Sequence, residues 1–262
     1  KMNELDISVI IPCYNSENTI IRSLDSVAFQ TAQPREIVLV DDGSDRPIES
    51  LVACWGKDKE VPIRVLRQNN LGAPAARNLG IKYAEGNYIA FLDADDIWHP
   101  DKLKIQHGVM EKDGLTLTAH AYAFEAKDLP LSPAVSKDNE IHVHIVKKWR
   151  FAIGNPFFTP TVMVRKDSFS GFDERFRRVD DYKAWVENFH HGNFGYFDSV
   201  LAAGFKRPIG QSGLTGSIDL MHNSYLEVLK ALYREGKISL QFYFFAKLFE
   251  NVKLPIRRYF SN

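Results

Sequence analysis

The chain has 262 residues, 45% of them apolar and 12% aromatic, enough to bury one large core or a domain with a small appendage. Its 33 basic and 33 acidic residues cancel, so no global field draws nucleic acid, and no such partner is expected. Cys13 and Cys54 lie in no CxxC or metal-ligand spacing, and no eighteen-residue apolar run or signal-peptide pattern occurs, so a reduced, cytoplasmic chain that does not span a membrane is expected.

The first half alternates strand and helix signals. "ISVIIP" (7–12) is a β-branched run ended by proline, the pattern of a buried parallel strand. The next segment spaces Ile20, Ile21, Leu24, Val27 and Ala28 as a helix, with Ser16 as its expected cap. "EIVLVDDGSD" (36–45) reads as a second buried strand running into a turn. A helix pattern at 47–55 precedes a third strand at 63–68. "APAARNLGIKYAEG" is helical and expected to stop at Gly86, and "YIAFLDA" (88–94) is the fourth strand. This βαβα order predicts an α/β fold, an open and mostly parallel sheet with helices on both faces.

In such sheets ligands bind outside the carboxyl ends of the strands. Three strands here end in polar residues, "PCYN", "DDGS" and "DADD", all at one edge. Each alone reads as a turn, since Asp, Asn, Gly and Ser favour turns. Together they predict a binding site. No GxGxxG follows the first strand and no GxxxxGK[ST] occurs, so a glycine cradle for phosphate is not supported. Carboxylates hold a diphosphate only through a cation, and oxygen ligands at DxD spacing suit Mn2+ or Mg2+. A nucleotide-activated donor follows from that chemistry.

"SVIIPCYNSENTIIRSLDSVAFQT", "EIVLVDDGSD", "NNLGAPAARNLGIKYAEGNYIAFLDADDIWHPDKL" and "NPFFTPTVMVRK…GFDE…VDDYKAWVE" together resemble the family-two glycosyltransferases of GT-A fold, across roughly residues 7 to 190. The resemblance implies an inverting enzyme with a metal-dependent nucleotide-sugar donor, UDP-linked for a uracil-type base, and a saccharide or lipid-linked saccharide acceptor in surface polysaccharide or glycan assembly. It implies that Pro12 and Tyr14 flank the base, that Asp42 accepts the base N–H, and that Asp41 braces the turn. Asn69, Gly72 and Arg77 would line the nucleotide. Asp93 would take the ribose hydroxyls, and Asp95, one residue past Ala94, would ligate the metal with Asp96 in support. Three bland readings stand beside these: Tyr14 as an ordinary packed aromatic, Asp96 as the cap of the following helix, and Arg77 as a surface residue near Glu85.

In the second half, "TPTVMVRK" (159–166) reads as a strand and "GFDERFRRVDDYKAWVENFHHG" as a loop entering a helix. The resemblance places a general base at the second member of an acidic pair, here Asp181, with Asp180 supporting it. A helix-terminal acid is the alternative reading. Lys206, Arg207, Gln211 and Ser212 are further diphosphate or acceptor candidates. The expected organisation is a donor-binding half (1–112), an acceptor-binding and catalytic half (113–216) and a C-terminal helical extension (217–262). That extension, aromatic and basic, either packs on the domain or makes peripheral contact with the inner face of the cell membrane. A sugar-nucleotide pyrophosphorylase would need a basic glycine loop after the first strand, which "PCYNSENT" lacks. A non-catalytic binding module would not need the second acidic pair.

Overall fold

The computed structural model describes residues 4–57, 59–130, 141–205 and 217–261. Four parallel strands lead: β1 (Glu4–Cys13), β2 (Gln33–Asp41), β3 (Ile63–Arg67) and β4 (Tyr88–Phe91). They alternate with α1 (Ile20–Ala28), α2 (Glu49–Gly56) and α3 (Ala73–Tyr83). Then come β5 (Ile97–Trp98), α4 (Lys102–Asp113), β6 (Leu117–Ala123), β7 (His144–Ile145), β8 (Met163–Arg165), α5 (Asp180–Asn188) and β9 (Phe194–Ala203). The chain closes with α6 (Ile218–Arg234) and α7 (Leu240–Ser261). Among the described residues the strands form one sheet, ordered β3-β2-β1-β4-β8-β6-β9-β5, with β7 against β9. β8 is antiparallel to β4 and β6, and β6 and β9 are parallel.

Strand periodicity sorts the core onto two faces. Ile10, Ile89 and Phe91 point into a cluster with Trp185 of α5 and Leu229 of α6. Val9, Ile11, Ala90 and Leu92 point the other way, onto Leu24 of α1 and Leu103 of α4. Both faces are covered, which is why these strands read as unbroken apolar runs. On α5, Lys183 is wholly buried and its ammonium sits among Asp173, Glu187 and Glu235, tying α5 to the end of α6.

Several local expectations need correction. Ser16 does not cap α1 through its side chain; the helix begins at Ile20, and the Ser16 carbonyl accepts from the Thr19 and Ile20 amides instead. α3 stops at Tyr83, before Gly86, where Ala84 turns extended. Gly86 is required for a different reason: a Cβ there would lie 2.7 Å from the Ser8 amide nitrogen. β4 ends at Phe91, so "DADD" is a turn, closed by the Asp96 amide on the Asp93 carbonyl. The 159–166 strand shrinks to Met163–Arg165 behind a 3-10 turn. Lys206, Arg207, Gln211 and Ser212 lie outside the described residues.

The two cysteines are both free. α6 and α7 join the main core through Val228, Leu229, Leu232, Phe242 and Ala246. Among the described residues nothing covers the outer side of α7, and Phe244, Leu248, Val252, Ile256 and Tyr259 are exposed along it. Among the described residues no helix is long and apolar enough to cross a membrane. Lys102 is fully enclosed, 3.7 Å from the Trp98 ring centre, and among the described residues nothing hydrogen-bonds its ammonium nitrogen.

Candidate active site

The strand register aligns the polar turns. Cys13 pairs with Asp41 and Ile10 with Phe91, so the turns after β1, β2 and β4 open on one edge. Asn15 clamps the first two, its side chain exchanging hydrogen bonds with Asp45 at 3.0 and 2.9 Å. Gly43 has φ +77°, and a Cβ on it would sit 2.8 Å from the Asn70 amide nitrogen. That close approach brings the 68–72 loop into the same edge. Pro12 is buried beneath the edge, while Tyr14 is exposed on it.

Both carboxylates of "DDGS" are buried. Asp41 accepts from the Ser44 amide and pairs with Arg67, which makes it a brace. Asp42 accepts from the Gln68 side chain and from the Leu71 and Gly72 amides, at 2.8 to 2.9 Å. These three bonds shape the 68–72 loop and leave one lone pair of a carboxylate's four for a ligand. Asn69 is exposed, and Gly72, at φ +101°, starts α3.

The "DADD" turn separates its three carboxylates. Asp93 accepts from Arg77 Nη2 at 2.9 Å. Asp96 is buried and accepts from the Tyr122 hydroxyl at 2.9 Å, so it does not cap α4; Asp101 occupies that position. Asp95, partly exposed, lies between them beyond buried Ala94, and its carbonyl accepts from Arg22. Arg77 is not a surface residue near Glu85. It is 6% exposed, and its other arm donates to Asp180 Oδ2 at 3.0 Å.

Asp180 and Asp181 open α5, and the neighbouring Val179 adopts φ +60°. Asp180 is buried against Arg77; Asp181 is partly exposed. The Asn155 side chain donates to Asp181 Oδ2 at 2.7 Å, and the Tyr182 amide donates to Oδ1 at 2.7 Å. Burial, and then the Asp180 charge, push Asp181 up to about 7. A carboxylate there exchanges a proton near neutrality.

Asp181 lines a cleft of about 520 Å³ whose walls include Asn155, Phe158, Tyr225 and Lys253. Phe158 is 45% exposed and stacks on Tyr122 at 4.8 Å, linking the cleft to the acidic turn. Arg177 lies over Gly72 and donates to the Asn70 carbonyl at 3.2 Å. Tyr122 and Arg177 carried no role in the sequence, and Asn155 and Phe158 fall in the "NPFFTPTVMVRK" segment of the resemblance without being singled out. The alternation of "LTLTAHAYAF" (115–124) was a strand signal that would have located Tyr122.

A sequence profile described as glycosyl transferase family 2 matches residues 8–200, which takes in the strand-end turns and the acidic pair. The chain belongs to glycosyltransferase family 2. An uncharacterized glycosyltransferase of Rickettsia conorii is 36% identical over 214 residues, 77% of this chain and 33% of that protein. The chain thus spans about a third of the length of that relative. The UDP-Glc:alpha-D-GlcNAc-diphosphoundecaprenol beta-1,3-glucosyltransferase WfaP of Escherichia coli is 30% identical over 227 residues, 82% of this chain and 87% of that one. Among solved structures, the mannosyltransferase PcManGT of Pyrobaculum calidifontis, in complex with GDP-Man and Mn2+, superposes with a TM-score of 0.69. It is 18% identical, over 98% of this chain and 71% of that chain. The fold of this family-2 chain is therefore of GT-A type, as the resemblance of its motifs implies.

The acidic turn fits a hard divalent cation of the kind seen among these GT-A neighbours. Its donors are carboxylate oxygens only, and the partners of Asp93 and Asp96 hold those two in place around Asp95. The Asp173, Glu187 and Glu235 cluster is a poor competitor, because the Lys183 ammonium occupies it.

Proposed function

We propose that this family-2 chain transfers a sugar from a UDP-linked donor to a hydroxyl of a lipid-linked saccharide, with inversion, in surface polysaccharide or glycan assembly. The observation that carries the reading is the division within the acidic pair. Asp180 is bound to Arg77, while Asp181 lines a cleft and is held near neutrality.

Asp181 receives the proton of the acceptor hydroxyl. That oxygen forms the new bond to the anomeric carbon, the bond from that carbon to the β-phosphate oxygen breaks, and the electron pair leaves with the nucleoside diphosphate. Asn155 and the Tyr182 amide hold the carboxylate in place for the transfer. Tyr14 offers its ring to the base, with Asp42, Asn69 and Gly72 beside it, and Asp93 meets the ribose. Asp95 would hold Mn2+ or Mg2+, with Asp96 in support; when bound, the ion offsets charge on the departing diphosphate. Phe158 presents a flat apolar face to a sugar ring in the cleft.

The outer face of α7 gives the chain a membrane contact in this reading. Its apolar side chains recur every third or fourth residue, and the helix's one carboxylate, Glu250, is turned inward and buried. Lys247 flanks the stripe, which suits an anionic bilayer surface, and Arg258 beside it pairs with Asp219 of α6 at 2.6 Å. A lipid-linked acceptor accords with the activity named for the Escherichia coli relative.

The test is Asp181→Asn. Transfer should fall about 10² to 10⁴-fold, the usual weight of a general base, while UDP affinity stays within about twofold. If Asp180→Asn proves the more damaging change with folding and donor affinity intact, the base is misassigned by one residue.

A further inference from the structure

The cleft beside Asp181 is too basic for a neutral sugar alone. Arg77, Arg150, Arg177, Arg178, Lys253 and Arg257 line it, against the carboxylates Asp180, Asp181 and Glu250. Arg77 neutralises Asp180, and Glu250 pairs with Arg257 at 2.5 Å and faces His222 at 3.4 Å. Among the described residues that leaves Arg150, Arg177 and Lys253 against Asp181.

The cations fall into two groups by the elements that carry them. Arg177 precedes α5 and reaches the 68–72 loop, on the donor side. Arg150 comes from the 3-10 helix Lys148–Ile153, and Lys253 and Arg257 come from α7. Lys253 donates to the Ile153 carbonyl, which ties α7 to that 3-10 helix across the cleft wall. Burial depresses the Lys253 ammonium, Glu250 raises it again, and Arg257 and Arg150 depress it by repulsion. Glu250 is already engaged by Arg257, so the repulsion left for a bound anion to relieve is that between Arg150 and Lys253.

The same helix sets its apolar stripe on the opposite side, toward solvent. α7 therefore joins, across its own width, a cationic cleft wall to a lipid-compatible face. We infer that Arg150 and Lys253 bind the diphosphate of a saccharide-diphospho-lipid acceptor, leaving its sugar at Asp181 and its chain along α7. This deepens the proposed function and rests on its placing of the acceptor in this cleft. The donor diphosphate belongs instead to the acidic turn and the 68–72 loop.

The experiment uses farnesyl diphosphate as probe, titrated calorimetrically into the full chain with UDP and Mn2+ saturating the donor site. Farnesyl diphosphate should still bind, and Arg150→Gln with Lys253→Gln should weaken it about 10- to 100-fold, the worth of one or two hydrogen bonds to charged groups. The charge-preserving pair Arg150→Lys with Lys253→Arg should keep most of the affinity, which separates lost charge from lost folding. Inorganic pyrophosphate should bind more weakly than farnesyl diphosphate under the same conditions. Asp181→Asn should bind the probe at least as well as the parent. This readout therefore stands apart from the failure of Asp181 as base. Loss of all binding once UDP and Mn2+ are present would place the probe in the donor site and overturn the inference. Equal affinity for inorganic pyrophosphate, or no change in the double glutamine variant, would overturn it too.

Discussion

Arg77 and Asp180 lie 103 residues apart in the chain and 3.0 Å apart in the fold, guanidinium to carboxylate, both buried. The other arm of Arg77 holds Asp93 at 2.9 Å. One side chain of α3 therefore locks the turn after β4 to the start of α5. Arg77→Met should cost about 3 to 5 kcal/mol, because it strands buried negative charge. Adding Asp180→Asn should recover part of that loss. Urea denaturation of the parent, the single and the double variants measures both effects.

The pH dependence follows from Asp181. A base must be ionised, so kcat/KM should rise with pH and level off above about 7. The stability effect has the opposite sense. Because the folded-state value lies above the ordinary 3.8, the fold bears no penalty below 3.8 and a full one above about 7. Asp181→Asn should therefore raise the melting temperature at pH 8 and not at pH 3.5. The expected gain at pH 8 is at least about 1 kcal/mol, less than one pKa unit is worth. Equal melting temperatures at pH 8 would count against the raised value.

Metal dependence of donor binding is the next expectation. Titration of UDP with Mn2+ present, and then with EDTA, should show at least about a tenfold loss of affinity, or 1.4 kcal/mol. Asp95→Asn should abolish the difference. Asp42→Ala should weaken UDP in both conditions, because it removes the brace of the 68–72 loop.

The exposed face of α7 is testable without cutting the helix, which would open the core around Phe242 and Ala246. Phe244, Leu248 and Ile256 are 59%, 64% and 52% exposed, so changing all three to Ser leaves the packed face intact. Flotation with vesicles containing anionic lipid should fall at least about tenfold, since each such side chain is worth about 1.5 to 3 kcal/mol when fully buried. Unchanged flotation, or none by the parent chain, would leave the stripe without a membrane role.

Lys102 offers a stability test away from the site. Burial lowers its pKa well below the ordinary 10.5, so the penalty is absent above that pH and present below it. The same enclosure and the neighbouring Lys102 push His120 down to about 3. Lys102→Met should stabilise the chain at pH 7 by about 1 to 3 kcal/mol, with the gain shrinking toward pH 10.5. Thermal melts across that range measure it.

The donor edge was legible in the sequence because its signals are local. A β-branched run followed by Asp, Asn, Gly or Ser marks a strand end, and parallel topology then brings "PCYN", "DDGS" and "DADD" to one edge. Arg257 was not legible, because long-range folding alone brings it to the cleft; Asn155 and Phe158 sit in the quoted "NPFFTPTVMVRK" segment, but no local spacing marks their side chains as cleft residues. Gly86 misled for a related reason. Its role is a close approach to Ser8, a contact across 78 residues that looks like a helix stop when read locally. Ser16 was misplaced because its own backbone carbonyl does the work expected of its hydroxyl.

The separation of walls around the cleft bears on how such enzymes diversify. The loops that would grip the nucleotide belong to β1 through β4, whereas the outer wall of the cleft, with Lys253 and Arg257, belongs to α7. If the cleft takes the acceptor as proposed, substitutions along one surface helix alter which molecule receives the sugar while the activated-sugar machinery is inherited intact. Grafting an α6–α7 hairpin between family members, together with the 3-10 helix it grips, is the corresponding route to recombining donors with new acceptors.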